Sequence, residues 1–150
     1  MITSTVAKLS KMDKVVFLDT AYAIALSAPN DQYHDLAVKL SEQLESEGVA
    51  LITTRAVVIE IGNALSKLRY RKSAIALLES LEADPSIEIV PITEELYKRA
   101  YDLYRNRLDK EWGLTDCLSF IVMRERNLAK ALTTDEHFEQ AGFRALMCES

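Results

Sequence analysis

Residues 15–26 read VVFLDTAYAIAL, and the order of side-chain types in this stretch decides the class of fold. Val15–Leu18 is a short apolar run, rich in β-branched and aromatic residues, with no polar alternation. That is the pattern of a parallel strand buried on both faces. The run stops at Asp19. A further apolar segment, Ala21–Leu26, follows and breaks at Ala28-Pro29-Asn30.

The pattern continues outward from this stretch. Residues 31–47 carry Leu36, Leu40 and Leu44 at fourfold spacing with Ala37 beside them, which predicts an amphipathic helix ended by Gly48. Val49–Thr53 predicts a second strand, Ala56–Leu68 a helix, and residues 73–83 another helix stopped near Asp84-Pro85. Ile87–Val90 is the expected third strand. Thr93 is placed to cap a helix from Glu94 to about Leu108. Gly113 marks a turn, Asp116–Arg126 is helical, and Lys130–Thr133 is the fourth strand. A short helical piece runs to Gln140, and Phe143–Met147 is expected to add an edge strand. Strands alternating with helices predict one three-layer α/β/α domain with a mostly parallel central sheet. Its expected extent is residues 14–150, after an N-terminal tail of residues 1–13. No repeat, low-complexity segment or linker interrupts it.

Composition narrows the function classes. The chain has 150 residues, 49% hydrophobic and 27% charged, with a formal net charge of −5. A protein that holds nucleic acid through its overall field is usually basic, so nucleic-acid contact here requires a local basic patch or a bound cation. Cys117 and Cys148 form no CxxC pair and no zinc spacing, and Cys117 reads as a small buried hydrophobe. No stretch approaches the roughly 18 apolar residues of a membrane span. The polar segment MITSTVAKLSKMDK lacks the apolar centre of a signal peptide. A soluble, cytoplasmic protein is expected.

The candidate chemistry lies in carboxylates. Asp19 and Asp135 fall just past strand ends, where open α/β sheets bind ligands. Either is also a good helix N-cap. Glu60 shares a helical face with Val57 and Ala64, and a Glu on an apolar stripe is costly unless paired or metal-bound. The plain alternative is a buried ion pair, with Arg55 as partner. Asp116 opens an apolar helical run and is itself a cap candidate, with Thr115 beside it as another. Two like charges about 4 Å apart repel by about 4 kcal/mol at an effective dielectric near 20. Four clustered carboxylates therefore call for a hard divalent cation, Mg²⁺ or Mn²⁺. His34 and His137 share no zinc-like spacing, and His137, near Asp135, is expected on the surface or in a supporting role.

Four segments together resemble the PIN-domain family, and within it the VapC-like toxin ribonucleases of type II toxin–antitoxin pairs. They are VVFLDTAYAIAL with Asp19, TTRAVVIEIGNAL (53–65) with Glu60 and Asn63, GLTDCLSFIVMRERN (113–127) with Asp116, and ALTTDEHFEQAGF (131–143) with Asp135. The resemblance covers about Val15 to Met147. It implies a metal-dependent endoribonuclease whose acidic tetrad is Asp19, Glu60, Asp116 and Asp135, with Asp19 and Asp116 as direct metal ligands. It suggests Thr20, Asn63, Thr115 and Thr134 as polar helpers. It also implies a homodimer and a cognate antitoxin protein. One departure from the family pattern is Ala21, where relatives often have a small polar residue.

RNA contact needs positive charge, and Lys67, Arg69, Arg71 and Lys72 cluster beyond the Glu60 helix, with Tyr70 among them. Arg124 and Arg126 lie near the end of the Asp116 helix. Apolar surface for partners is sought in the Leu36, Leu40, Leu44 stripe or in Ile75, Leu77, Leu78 and Leu81, although each stripe reads more simply as core. Two rival readings stay open. A phosphatase or receiver domain also places an Asp after its first strand, but a phosphatase of that type wants a second Asp where Ala21 stands. A PIN-like module that binds RNA or protein without turnover, or a housekeeping RNA-processing nuclease, would keep the same residues.

Overall fold

The central sheet forms because five runs of the chain satisfy their backbone against one another. The computed structural model describes residues 14–148; the expected tail, residues 1–13, lies outside them. In chain order the elements are β1 (Val15–Leu18), α1 (Thr20–Ser27), α2 (His34–Ser46), β2 (Ala50–Thr54), α3 (Arg55–Ala64) and α4 (Leu68–Ala83). Then come β3 (Ile87–Val90), α5 (Glu94–Asn106), α6 (Leu114–Glu125), β4 (Lys130–Leu132), α7 (Glu136–Gln140) and β5 (Arg144–Ala145). Among the described residues the sheet has five strands in the order β3-β2-β1-β4-β5, and every pairing is parallel.

This order positions the site. The chain builds outward from β1 through β2 to β3, then returns to the other side of β1 with β4 and β5. The switch point lies between β1 and β4, where ligands collect beyond the C-terminal strand ends of open α/β sheets. Asp19 follows β1 and Asp135 follows β4. Their backbones are tied there, since Asp19 N–H donates to the Leu132 carbonyl at 3.2 Å. At the same end, the Thr53 hydroxyl donates to the Leu18 carbonyl at 2.7 Å. Thr54 caps α3 by accepting from Val57 N–H at 3.2 Å.

Local chemistry explains most boundaries. Gly48, at φ +65°, closes α2 with Val49 N–H reaching back to the Leu44 carbonyl, the backbone geometry glycine adopts without steric cost. Thr93 caps α5 as expected, accepting from Leu96 N–H at 3.1 Å. The sequence expectation fails between residues 65 and 72. The helix carrying Glu60 stops at Ala64, and α4 starts at Leu68 rather than at residue 73. Leu, Arg and Lys are strong helix formers, but a basic first turn shows no apolar periodicity to reveal it. The last strand is also shorter than expected, Arg144–Ala145.

The Leu36, Leu40, Leu44 stripe is core, not partner surface: Leu40 and Leu44 are buried and Leu36 is half-buried. In the second stripe Leu81 is buried, while Ile75 remains exposed.

One aromatic contact joins the elements that carry the acids. Phe138 of α7 is fully buried. Its ring centroid lies 6.1 Å from that of Phe17 on β1 and 5.0 Å from that of Phe120 on α6, the latter edge-to-face at 87°. Trp112 also packs on Phe120, edge-to-face at 5.0 Å. Truncating a buried Phe to Ala costs about 3–5 kcal/mol through lost transfer energy and a cavity. Phe138→Ala is therefore expected to lower the melting temperature by roughly 10 °C, read by circular dichroism or calorimetry. A melting point unchanged within error would show that this contact does not hold the site-bearing elements together.

Candidate metal centre

The site assembles from short-range placements. Asp19 stands at the N-cap position of α1 but makes no cap hydrogen bond. Its Oδ2 instead accepts from the Thr133 hydroxyl at 2.7 Å, so the plain cap reading does not describe this side chain. Asp116 is in the first turn of α6 rather than before it. Its Oδ2 accepts from Gly113 N–H at 3.2 Å and lies 3.1 Å from His137 Nδ1. Asp135 both caps and serves the cluster. Its Oδ1 accepts from His137 N–H at 2.8 Å, capping α7, and stands 3.4 Å from His137 Nδ1.

Asp116, Asp135 and His137 each offer one ligand atom within 4.8 Å of the others. Of the expected metal residues Asp19, Glu60, Asp116 and Asp135, this group holds Asp116 and Asp135. Histidine 137, expected in a supporting or surface role, faces both aspartates. Asp19 stands outside the triad and is coupled to it by charge, since Asp116 and Glu60 both oppose its ionisation.

Glu60 corrects the core-facing expectation. It is exposed, as is Ala64, and only Val57 of that stripe is buried. The alternative pairing with Arg55 is absent among the described contacts of Glu60; Arg55 pairs with Glu82. Glu60 accepts from the Thr20 hydroxyl. The helix ends one turn beyond it, which opens this face to the cleft. Asn63 is exposed near the end of the same helix. Thr115 is half-buried, its carbonyl accepting from the Ser119 hydroxyl.

Thr133 is the contact the sequence reading missed. It is fully buried, donates to Asp19, and accepts from Asp135 N–H at 3.0 Å. One hydroxyl thus bridges the two strand-end aspartates. A period-two reading of β4 offered one signal, a polar Thr at the strand's end between two candidate acids. Thr134, the expected helper, is half-buried. It joins Asp19, Thr20, Glu60 and Asp135 in lining a cleft of about 510 Å³ that also meets Asp31 and Tyr33.

The electrostatics favour a cation. Burial, the largest cause, pushes the Asp19 carboxyl from 3.8 up to about 7; Thr133 and the Thr20 backbone pull it down, and Glu60 and Asp116 push it up. Asp116 is raised by burial first and by Asp135 next, against the Gly113 and His137 hydrogen bonds. The protein's own donors therefore leave the negative charge incompletely compensated. An oxygen-rich set with one imidazole fits a hard or borderline divalent ion. Cys117, buried beneath Asp116, has its thiol pushed up to about 11, which leaves it a protonated hydrophobe rather than a soft ligand.

The basic residues Lys67, Arg69, Arg71 and Lys72 are exposed at the start of α4, with Lys67 at the N-cap. The Arg69 guanidinium sits 4.8 Å from the Tyr70 ring centroid. Tyr70 and Ile24 line a second cavity of about 510 Å³, and Ile24 also lines the acidic cleft. Of the other expected cations, Arg126 pairs with Glu88 at 2.8 Å.

Comparison with known proteins adds the family. Residues 16–144 match the PIN domain model. The curated protein described as the 23S rRNA-specific endonuclease VapC20, from Mycobacterium tuberculosis, is 25% identical over 129 residues, covering 86% of this chain and 95% of that protein. Among solved structures, the crystal structure of M. tuberculosis VapC20, described as a Sarcin-Ricin loop cleaving toxin, superposes with a TM-score of 0.74 at 23% identity. That match covers 85% of this chain and 95% of the other. FitAcB from Neisseria gonorrhoeae matches with a TM-score of 0.59 at 21% identity over 87% of this chain and 95% of its own. Both structures share the fold.

Asp19 gives the metal-free protein a pH dependence of definite sign. Unfolded, its carboxyl titrates near 4; folded, at about 7. Between these values the native state keeps a proton that the unfolded chain has released, so this group's contribution to stability falls as pH rises from about 4 to about 7. The full shift corresponds to roughly 4 kcal/mol. In EDTA, Asp19→Asn is expected to melt close to the parent near pH 5 and several degrees above it near pH 8. Parallel melting curves at both pH values would rule out a raised Asp19 carboxyl.

Proposed function

The chain belongs to the PIN-domain family, and we propose that it is a metal-dependent endoribonuclease, the toxin of a type II toxin–antitoxin pair. The observation that carries this reading is the junction of Asp116, Asp135 and His137 with buried Asp19 at the switch point of a parallel sheet. The likeness to a 23S rRNA-specific endonuclease over most of both chains supports structured ribosomal RNA as the substrate class.

Mg²⁺ or Mn²⁺ is the proposed cofactor, held by Asp116, Asp135 and His137, with Asp19 as a further ligand. When bound, such an ion polarises the scissile phosphate and lowers the pKa of its water. The chain's own residues do the rest. Thr133 fixes Asp19 and the Asp135 backbone relative to each other. Gly113 N–H orients the Asp116 carboxylate. Glu60, exposed at the cleft and bonded to Thr20, is placed to take a proton from the attacking water. Asn63, Thr115 and Thr134 are proposed to contact the substrate or ordered water around this centre.

The start of α4 is the proposed first phosphate-binding surface. Cations at a helix N-terminus add to the positive end of the helix dipole. That arrangement is unfavourable for the isolated helix and favourable for a polyanion. It supplies local positive charge to a chain whose net charge is −5. A homodimer, a cognate antitoxin and a cytoplasmic location complete the proposal. No helix among the described residues is long and apolar enough to cross a membrane.

Purified protein free of any inhibitor is expected to cleave ribosomal RNA with Mg²⁺ or Mn²⁺ and to stop in EDTA. Asp116→Asn should lose more than about 100-fold in rate. Thr133→Val, which removes a partner of a ligand rather than a ligand, should lose about 10- to 100-fold. Metal-independent cleavage, or full activity in Asp116→Asn, would sink the assignment. Absence of any cleavage by folded protein would favour a silent binding module. Replacing Lys67, Arg69, Arg71 and Lys72 by Gln should weaken RNA binding and flatten its salt dependence by up to about 0.7 in log–log slope per lost contact; an unchanged slope would remove this surface from the binding site.

A further inference from the structure

Helix α3 stops at Ala64 and α4 starts at Leu68. The chain turns there beside the α1–α2 loop and leaves a cavity of about 510 Å³. Ile24, Pro29 and Leu65 give it apolar walls, and Tyr70 an aromatic one. Asn30 and Ser73 add an amide and a hydroxyl, and Asp31 is the one acid that lines it. Hydrogen bonds hold its rim. Asp31 N–H donates to the Ala28 carbonyl at 2.9 Å, and His34 N–H to the Asp31 carbonyl at 3.0 Å. Asp31 Oδ1 accepts from Tyr33 N–H at 2.8 Å. Ile24 and Asp31 also line the acidic cleft, so the two spaces share a wall.

Positive charge borders this cavity. Tyr70 and Ser73, three residues apart, share one face of α4, with Arg69 next to Tyr70 and Lys67 at the N-cap. Neither Lys67 nor Arg69 is in an ion pair among the described residues, and the first turn of α4 holds no acid. Arg71, by contrast, is held by the Ser66 carbonyl. The Arg69 guanidinium lies 4.8 Å from the Tyr70 ring centroid and takes up one face of the ring, yet the residue stays 39% exposed.

We propose that the cavity between the α1–α2 loop and the start of α4 receives one unpaired RNA base, beside the nucleotide whose phosphate lies in the acidic cleft. The inference rests on the ribonuclease reading and says where one nucleotide of that substrate lies. Proteins that recognise RNA bind bases splayed out of the helix, against aromatic rings and through hydrogen bonds to the base edges. The cavity supplies both parts of that chemistry. Tyr70 and the apolar walls contact a flat ring, and the Asn30 amide offers a donor and an acceptor to its edge. Lys67 and Arg69 stand where the linking phosphates would pass. A second copy packed here about a two-fold axis would set these cations against their own counterparts, whereas a nucleotide brings them negative charge.

The test removes the base and the ring separately and together. The cut in ribosomal RNA is mapped, and a short synthetic RNA carrying it is made with one abasic nucleotide at each neighbouring position in turn. In Mg²⁺, kcat/KM of the wild-type protein should fall about 10-fold at one abasic position. Tyr70→Ala should cost about the same on the intact RNA and nothing further on that abasic RNA, because base and ring act as one pair. Tyr70→Phe, which keeps the ring, should recover the loss. Ser73→Phe, which fills the cavity from an exposed position, should behave as Tyr70→Ala does. Asn30→Ala should level the rates among the four bases at the same position. Folded wild-type protein that cleaves no RNA overturns the ribonuclease reading and this inference with it. Cleavage indifferent to every abasic position, or losses from Tyr70→Ala and base removal that multiply, overturns the inference alone. Light scattering in which Tyr70→Ala turns a wild-type dimer into a monomer would assign the cavity to contact between copies and also overturn it.

Discussion

The packing of Phe138 between Phe17 and Phe120 is the constraint on which the candidate site depends. Three acidic positions ride on elements that meet at this ring: Asp19 at the end of β1, Asp116 in the first turn of α6, and Asp135 at the start of α7. Folded interiors are close-packed, so elements joined by such a contact cannot drift apart to relieve repulsion at their ends. Apolar burial beneath the site thereby fixes charges that would separate if left to themselves. The short helix α7 has only five residues and little stability of its own. Phe138 is what gives it, and His137 beside it, a fixed place.

The energy stored above that packing is electrostatic. Asp19 is buried next to two other carboxylates, and a single hydroxyl, that of Thr133, is its side-chain hydrogen-bond donor. Its raised pKa measures how far the protein's own donors fall short. Structural carboxylates usually show the reverse, as Glu88 and Glu82 do, both lowered by paired arginines. The contrast separates the two populations of acids in this chain. Glu82 and Glu88 are each paired with an arginine, whereas Asp19 and Asp116 are raised first by burial and also by neighbouring acids.

A protein of net negative charge can still serve a polyanionic substrate if its positive groups are local. The start of α4 concentrates cations at a helix N-terminus. The cavity that Tyr70 lines there meets the acidic cleft at Ile24. Bulk composition averages such features away.

Much of this protein was determined by sequence alone, because the signals were local. Val15–Leu18 declares itself as a buried strand by an unbroken apolar run and Ile87–Val90 as a strand by its β-branched residues, and Asp19 and Asp135 are placed by the strand ends they follow. Four acids in their segments were enough to indicate the PIN-like α/β/α arrangement. Tertiary structure decided what no local pattern encodes. Glu60 looked core-facing from Val57 and Ala64, yet α3 ends at Ala64 and its far face meets a cleft instead of a layer. The helix α4 began in a basic turn that carries no hydrophobic period. His137 and Thr133 entered the site only because α7 and β4 fold against α6 and β1, bringing Asp116 to an imidazole 21 residues away and Asp19 to a hydroxyl 114 residues away. Periodicity specifies which face of an element is apolar; which polar groups meet across elements is fixed only when those faces pack.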